Sequence, residues 1–243
     1  MQIAEITPDE LYELTDTLRE KGLSNKSIVY VHATLRKMLA YARRMGYTSV
    51  TDVYERYDLP RVNGIQYPIL TDREYLDMIC NADGRTPLSL AIRLAICYGL
   101  RRGEILGIKP TFDLDENVLH IQRTRTVENG QEVVTSGKTR SANRYILLLD
   151  EDAAALRSRT TEYAIPLTPT QLNKGFTKFL RIHGFPAMRF HDLRHNYATY
   201  MLRHGIDVKT ISTVLGHSSV KITLDIYTHP NVEFQKNCLE VLP

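Results

Sequence analysis

The sequence predicts a mainly α-helical protein with one small antiparallel sheet, an α+β fold in which a small helical bundle precedes a larger domain. Three observations predict it. Helix-capping signals recur along the chain, alternating apolar residues are confined to residues 118–149, and a segment rich in Pro, Gly and Asn interrupts the helices near residue 60. We therefore expect domains at residues 1–60 and 70–243, joined by a linker at residues 61–69.

The first domain is predicted from two strong helical segments. Thr7 and Glu10 form a capping box with Pro8 at the first helical position, so a helix should run from there to about Lys21. A second helix is expected from residue 24 to residue 45, because apolar residues recur there with helical spacing. Its apolar stripe consists of Ile28, Val31, Leu35, Met38, Leu39 and Ala42. A short helix should follow at residues 50–57.

The second domain should be built around a buried helix. Thr71 and Glu74 open one helix with a capping box. The segment from Leu88 to Tyr98 is apolar nearly all round, which is typical of a helix inside a core, and Gly99 should end it.

The sheet and the remaining helices follow. The segments VLHIQRTRTV and EVVTSG alternate and flank ENG, which is a hairpin signal, and RYILLL should form another strand of the same sheet. After Asp150 the pattern is helical, with one helix starting at Thr168 and Pro169 and ending at Gly184.

The composition is that of an ordinary globular protein and excludes several classes. Lys and Arg number 31 against 28 Asp and Glu, and the net charge of +3 does not by itself predict a nucleic-acid partner. The cysteines are far apart, so neither a disulfide framework nor a thiolate zinc site is expected. Because no apolar run is long enough for a membrane span and the N-terminus lacks a signal peptide, we expect a cytoplasmic protein.

The motif HDLRH, residues 191–195, is the densest group of chemically active side chains. On a helix, His191, Arg194 and His195 share a face, so His191 and Arg194 can meet the same ligand. Two other interpretations stay open, a solvated polar helix face and a zinc helix related to HExxH. Against zinc, Arg194 would be a cation on the metal-facing side, and no well-spaced third ligand follows.

Four further features are each weak alone. Arg101, in GLRRGE, follows a buried helix and a glycine turn, where it suits an anion or a structural pair with Glu104. Lys138 lies in a loop between predicted strands, and His217 lies in LGHSS just after a predicted helix. Tyr227 lies in DIYTHP. A solvated lysine and a core tyrosine are the ordinary interpretations of two of these residues.

In this order and spacing the pieces resemble the tyrosine recombinase (phage integrase) family, from about Thr71 to Pro230. GLRRGE matches the family's first arginine box, and HDLRHNYAT, LGHSS and IYTH match the second almost residue for residue. The resemblance implies the family's catalytic fold behind a helical core-binding domain that contacts DNA. The domain at residues 1–60 is short for that role, and both a truncated chain and a natural short form fit it.

The resemblance also implies residue roles. Arg101 and Arg194 would bind the scissile phosphate, with Glu104 in support, and Tyr227 would be the nucleophile. The assisting residues would be Lys138, His191 and His217. Guanidinium groups stay charged and bind phosphate oxygens bidentately, so they supply the positive charge that a metal ion supplies in other nucleases. We therefore expect neither a metal nor another cofactor, and no ATP, since the phosphotyrosine link conserves the bond energy.

The implied function is that of a site-specific DNA recombinase, nucleoid-associated, that uses a covalent 3′-phosphotyrosine link to integrate or excise a mobile element. A chromosome-dimer resolvase and a non-catalytic DNA-binding protein are the alternatives. The expected partners are double-stranded DNA, further copies in a homotetramer on synapsed DNA, and a directionality factor. The C-terminal segment would dock on a neighbouring copy or pack on its own domain. The residues expected to hold DNA are Lys26, Arg36, Lys37, Arg43, Arg44, Arg123, Arg125, Arg140 and Arg144.

Overall fold

The structure is a computed structural model that describes residues 6–48, 52–62, 67–128, 130–136, 143–217 and 219. The chain divides into two compact units, residues 1–66 and 67–243, and the predicted linker at residues 61–69 contains this division. Three predicted site residues, Lys138, Arg140 and Tyr227, lie outside the described residues, as does the C-terminal segment from residue 220.

The smaller unit is built on two helices, α1 (Pro8–Glu20) and α2 (Asn25–Arg44), followed by a 3-10 turn at Val53–Arg56. Both helices begin where the sequence predicts. The capping box of Thr7 is formed at α1, and the Ser24 side chain caps α2 by accepting a hydrogen bond from the backbone in its first turn. Local capping chemistry therefore sets both starts.

The buried face of α2 differs from the predicted stripe at two positions. His32 is fully buried, whereas Met38 is 63% exposed. The His32 Nε2 atom lies 2.8 Å from Thr15 Oγ1 and 3.2 Å from the Tyr57 hydroxyl, and Nδ1 lies 3.1 Å from the Tyr54 hydroxyl. Because these hydroxyls satisfy the imidazole, burying it costs little. The apolar stripe expected from the spacing therefore includes one residue, Met38, whose side chain is largely exposed.

The larger unit is centred on helix α4 (Pro87–Tyr98), which is buried along nearly its whole length. Helices α3 (Asp72–Asn81), α8 (Pro169–His183) and α9 (Asp192–Arg203) pack against it. Because other helices cover α4 from several sides, its sequence is apolar nearly all round. Gly99 ends α4 with a φ of +63°, a left-handed conformation that glycine adopts without strain.

Two short antiparallel sheets take the place of the single predicted sheet. The strands are β1 (Leu114–Asp115), β2 (Val118–Ile121), β3 (Arg123–Glu128), β4 (Gln131–Ser136) and β5 (Arg144–Leu147). Strand β2 lies between β1 and β5, and β3 pairs with β4 as a separate hairpin. The ladders separate at Gln122, whose side-chain amide donates to Asp113 at 2.7 Å instead of continuing the first sheet.

Short helices fill the remaining connections of the larger unit. They are α5 (Arg102–Leu106), α6 (Pro110–Asp113), α7 (Asp150–Arg157) and α10 (Val208–Leu215). The sequence does not predict α5 or α6, which are too short to show periodicity. Helix α5 packs on β3 so closely that a Cβ atom at Gly103 would lie 2.4 Å from Thr124 Cγ2. This contact fixes the segment that begins at Arg101.

The predicted fold class, mainly helical with a small antiparallel component, is confirmed. Among the described residues, none of the helices has both the length and the apolar character needed to cross a bilayer.

Candidate active site

Segments that are far apart in the sequence bring together the four predicted catalytic residues that the structure describes, which are Arg101, His191, Arg194 and His217. Arg101 is the N-cap residue of α5 and follows the glycine that ends α4. His191 is the N-cap residue of α9, and Arg194 lies in its first turn. His217 follows Gly216, which ends α10 with a φ of +65°. The ends of three helices therefore meet at this site.

The C-terminal end of α10 accepts hydrogen bonds from three arginines at consecutive carbonyl oxygens. The pairs are Arg144 Nε with the Val214 oxygen at 2.6 Å, Arg194 Nη2 with the Leu215 oxygen at 2.6 Å and Arg101 Nη2 with the Gly216 oxygen at 3.0 Å. The last carbonyls of a helix lack partners within the helix and carry partial negative charge, so cations are favourable there. These bonds fix His217 relative to Arg101 and Arg194.

Arg194 is a buried cation with no acidic partner among the described residues. It is 3% exposed, and its guanidinium donates to the carbonyl oxygens of Gly99 and Leu215, both at 2.6 Å. Burial lowers the pKa of Arg194 to about 9, with Arg101 adding to this effect and Glu104 opposing it. Arg194 therefore stays charged at neutral pH, and a buried charge without a counter-ion is costly unless a ligand supplies one.

Glu104 is the carboxylate of this cluster, and two arginines share it. Its Oε1 accepts from Arg101 Nη1 at 2.8 Å, and both its oxygens accept from Arg144 at 2.9 Å. Burial raises the pKa of Glu104, but the hydrogen bonds and charge of Arg144, followed by the charge of Arg101, lower it to about 2. Arg101 and Arg144 therefore share one carboxylate, and Arg194 feels its charge without forming an ion pair with it. The net positive charge of the cluster suits an anionic ligand.

Three histidines beside these arginines are held in the neutral form. Burial, then Arg194 and Arg101, lower the pKa of His217 to about 4. Burial and then His191 lower the pKa of His195 to about 4. Desolvation and then the charge of Arg194 also lower the pKa of His191. A neutral imidazole accepts one proton and donates one N–H, so His191 is suited to act as a base and His217 as a hydrogen-bond donor.

Comparison with known proteins decides the family, because the phage integrase family matches residues 69–233. The chain belongs to this family of tyrosine recombinases. A XerC-like tyrosine recombinase of Caldanaerobacter subterraneus subsp. tengcongensis is 28% identical, covering 100% of this chain and 72% of the relative. The ICEBs1 integrase of Bacillus subtilis is 27% identical, covering 99% of this chain and 71% of the relative.

Solved structures share the fold. The Tn1549 transposon integrase in complex with transposon right-end DNA superposes with a TM-score of 0.80 at 19% identity, covering 100% of this chain and 87% of that one. A lambda integrase dimer bound to a COC′ core site superposes with a TM-score of 0.66 at 20% identity, covering 92% of this chain and 65% of that one. These structures show the shared fold, and the family match over residues 69–233 confirms the predicted resemblance to tyrosine recombinases.

Three of the arginines predicted to hold DNA are engaged inside this recombinase. Arg125 and Arg144 are 8% and 9% exposed. Arg125 is ion-paired with Glu132, and Arg144 with the site carboxylate described above. Arg123 Nη1 donates to Asp113 at 2.7 Å. The prediction of DNA contact by Arg125 and Arg144 is corrected, because buried and bonded guanidiniums hold strands in place rather than presenting charge to a duplex.

The basic residues of α2 are exposed, and most of them share a face with tyrosines. Lys26, Lys37 and Arg44 line up at helical spacing with Tyr30 and Tyr41, opposite the buried face. Tyr30 is 68% exposed, and Tyr41 is 50% exposed. We call these five residues the basic face of α2. Cations can contact phosphates and aromatic rings can stack on bases, so this face suits a nucleic acid.

Arg36 and Arg43 lie to one side of the basic face. Arg36 donates to Asp52 at 2.9 Å, and its guanidinium carbon lies 5.6 Å from the centre of the Tyr54 ring. The hydrogen bond from Arg36 is the main cause of the lowered pKa of Asp52, and the charge of Arg43 contributes. Arg36 therefore joins α2 to the turn that follows it.

The arrangement of HDLRH disfavours the zinc interpretation. Asp192, which stands where the zinc helix has its glutamate, is ion-paired with Arg189 at 2.8 Å. Arg194 is directed to carbonyl oxygens. Across the described ranges, no group of three or more His, Cys, Asp or Glu residues is arranged to hold a metal ion.

Sequence reasoning misses the side chains that surround the HDLRH turn. Tyr67 stacks on His195 with ring centres 4.3 Å apart, and buried Asn196 bonds to the backbone of Pro68. No local pattern marks these residues, because their partners lie in a distant segment of the chain.

Proposed function

We propose that this chain is a site-specific DNA recombinase that cleaves and rejoins strands through a covalent 3′-phosphotyrosine link. The observation that carries the proposal is buried positive charge in excess. Arg101 and Arg144 share the carboxylate of Glu104, and Arg194 forms no ion pair in the described part of the chain. Negative charge grows on the non-bridging oxygens of a phosphodiester in its transition state, so preorganised cations stabilise that state more than the ground state.

In the proposed reaction, the Tyr227 oxygen attacks phosphorus and the bond from phosphorus to the 5′ oxygen breaks. The 3′ phosphate then becomes a tyrosine ester. Neutral His191 accepts the phenol proton, and Lys138 donates a proton to the departing 5′ oxygen. His217 donates a hydrogen bond to a non-bridging oxygen. Tyr227 and Lys138 are assigned from the family's motifs, since they lie outside the described residues.

The reaction as proposed needs no metal ion and no ATP. Arg101 and Arg194 supply the charge stabilisation that Mg²⁺ supplies in other nucleases. One phosphate ester replaces another, so a 5′ hydroxyl can attack the tyrosine ester and reseal the strand by the reverse chemistry. Arg101 is the more accessible of the two, with 34% of its side chain exposed.

We assign the remaining DNA contacts to the basic face of α2. Its cations would neutralise phosphates, which gives affinity and salt dependence without a sequence code. By resemblance to the family, the active assembly is a homotetramer on two synapsed duplexes, in which the C-terminal segment docks on a neighbouring copy. A directionality factor would bias the reaction.

Within the family, we infer that the reaction integrates or excises a mobile element. The similarity to the ICEBs1 integrase supports this role. The XerC-like relative supports the alternative, chromosome-dimer resolution. A recombination assay separates the two. Exchange between attachment repeats that flank the gene supports the mobile-element role, whereas exchange at one chromosomal site shared by sister chromosomes supports resolution.

Covalent trapping tests the mechanism. The protein is incubated with a nicked duplex that carries its recombination site, in EDTA and without ATP, and then run on a denaturing gel. A protein–DNA band should form with the wild type and with Tyr145→Phe, which alters an exposed tyrosine on β5. The band should be absent with Tyr227→Phe. A band that persists in Tyr227→Phe, or that strictly requires Mg²⁺, contradicts the mechanism.

A further inference from the structure

Residues 67–70 cross the start of α9, and Asn196 fastens them to it. Asn196 is 2% exposed. Its Oδ1 accepts from the Leu70 N–H at 2.7 Å, while its Nδ2 donates to the Pro68 oxygen at 3.0 Å and to the Asp192 oxygen at 2.9 Å. One side-chain amide thus bonds two peptide groups as a neighbouring strand would. We call residues 67–70 the strap.

The strap also reaches the site through stacked rings. The Tyr67 ring lies against the His195 ring, with centres 4.3 Å apart and planes inclined by 25°. The His195 and His191 rings are nearly perpendicular, with centres 5.1 Å apart. The Arg189 guanidinium carbon lies 5.5 Å from the centre of Tyr67, on the strap side of the turn. A single side chain, His195, therefore separates the strap from His191.

A third hydrogen bond ties the strap to the far end of α9. Arg203 Nη1 donates to the Leu70 oxygen at 3.1 Å. The strap therefore contacts α9 from its first turn to its last, and the helix cannot turn about its axis without breaking these bonds.

Asn196 and Arg194 hold α9 from opposite sides. Two residues along a helix correspond to about 200° of rotation, so their side chains point in nearly opposite directions. Arg194 bonds carbonyl oxygens of Gly99 and Leu215 at 2.6 Å, distances that leave little tolerance for a shift of the helix. Asn196 holds the opposite side of the helix through its bonds to residues 68 and 70.

We propose that the strap positions the catalytic turn of α9, with Asn196 and Tyr67 as positioning residues for Arg194 and His191. The inference rests on the proposed recombinase function, because that function is what gives the turn its task. Neither residue touches the reacting phosphate in this account. They act by fixing the rotation of α9 and the ring of His195.

Single-turnover kinetics of covalent-complex formation test the proposal. Asn196→Ala and Tyr67→Leu should each lower the rate constant about tenfold to hundredfold, since small misplacements of catalytic groups cost rates of this order. The Kd for DNA should stay within about threefold, because the basic face of α2 is unaffected. Tyr67→Phe should keep the wild-type rate constant, since the ring that stacks on His195 is retained.

Tyr200→Leu is the matched control. Tyr200 is a half-buried tyrosine on the same helix and stacks on Tyr75 with ring centres 3.9 Å apart, away from the site. Its replacement should lower the thermal unfolding temperature about as much as Tyr67→Leu does, while the rate constant of the active fraction stays at the wild-type value. Equal losses of rate in Tyr200→Leu and Tyr67→Leu would overturn the positioning role, as would unchanged rates in both strap variants.

Amide hydrogen exchange tests, without DNA, whether the strap stabilises α9. Asn196→Ala should speed exchange of the α9 amides, and Tyr200→Leu should affect mainly the later turns. Unchanged exchange in the first turn of α9 overturns the strap. A wild-type protein that forms no covalent complex would instead overturn the recombinase function, and the exchange result would still decide the strap.

Discussion

The smaller unit and the larger unit both bury polar side chains, but they satisfy them differently. In the smaller unit, His32 is surrounded by the hydroxyls of Thr15, Tyr54 and Tyr57, and burial lowers its pKa. In the larger unit, Arg194 is charged and has no acidic partner among the described residues. A buried polar group whose bonds are all made specifies a fold, whereas one whose charge is left uncompensated marks a binding site.

The largest expected effect comes from Gly99, where the core of the larger unit meets its site. Gly99 has a φ of +63°, and a Cβ atom there would lie 2.4 Å from Leu215 Cδ2 and 2.7 Å from Tyr197 Cδ1. Gly99→Ala should lower the free energy of unfolding by about 3 kcal/mol or more. Urea denaturation measures this loss.

Gly205→Ala is its control. Gly205 has a φ of +79°, but nothing lies within 4 Å of a Cβ atom there, so only backbone strain of about 1 kcal/mol is expected. Equal losses at the two glycines would show that close packing around the Gly99 carbonyl is not what holds the site.

The second effect tests the charge balance around Glu104. The pKa of Glu104 is about 2 in the folded protein, against an ordinary value of 4.5. Ionised Glu104 therefore makes its full contribution to the free energy of unfolding at any pH above 4.5. As the pH falls from 4.5 towards about 2, the free energy of unfolding should decrease by roughly 3 kcal/mol. Glu104→Gln should weaken this acid dependence and destabilise the protein at neutral pH. An unchanged urea midpoint across the same pH series contradicts the assignment.

The third effect is a loss of stability of the smaller unit, and it occurs at a higher pH than the loss expected from Glu104. Because the folded pKa of His32 is lowered, the unfolded state takes up a proton first as pH falls below about 6.5. Stability of this unit should therefore be lost from that pH downward. Hydrogen exchange of the α1 amides in the intact chain measures it. His32→Gln keeps a polar side chain that does not titrate, and it should remove the dependence; a dependence that survives must arise elsewhere.

The smallest effect is expected on the surface of the smaller unit. Lys37→Ala, on the basic face, should weaken DNA binding by about threefold to tenfold and reduce the salt dependence by about one ion. Arg36→Ala should instead lower stability with little change in affinity, because Arg36 is paired with Asp52. Fluorescence anisotropy over a salt series compares them, and the reverse pattern would reassign the DNA-binding face.

Local signals predict the elements whose boundaries depend on neighbouring residues. The capping boxes at Thr7 and Thr71 and the glycine at Gly99 act over one helical turn, so the sequence is sufficient to predict them. The separation of the two sheets and the burial of His32 depend on partners that are distant in the sequence. Periodicity reports which face is apolar, and it therefore misses a polar residue that the core satisfies.

The same limit explains which part of the site the sequence predicts. The family's motifs indicate Arg101 and Arg194 by residue type and spacing. They do not reveal that Arg144 joins the same cluster, because its partners Glu104 and Val214 lie 40 and 70 residues away. Whether an arginine is available to a ligand is decided by such distant partners.

The most direct test of the central claim compares two buried arginines of the larger unit. Arg194 and Arg125 are 3% and 8% exposed, and both donate to backbone carbonyls, but only Arg125 has a carboxylate partner among the described residues, Glu132. The measurement is the single-turnover rate constant for covalent-complex formation with Arg194→Gln and with Arg125→Gln, which remove the charge and keep a polar side chain. We predict a loss of about a hundredfold to a thousandfold for Arg194→Gln, with the wild-type rate retained by folded Arg125→Gln. Equal rate constants in the two variants would contradict the claim that uncompensated charge at Arg194 drives the reaction.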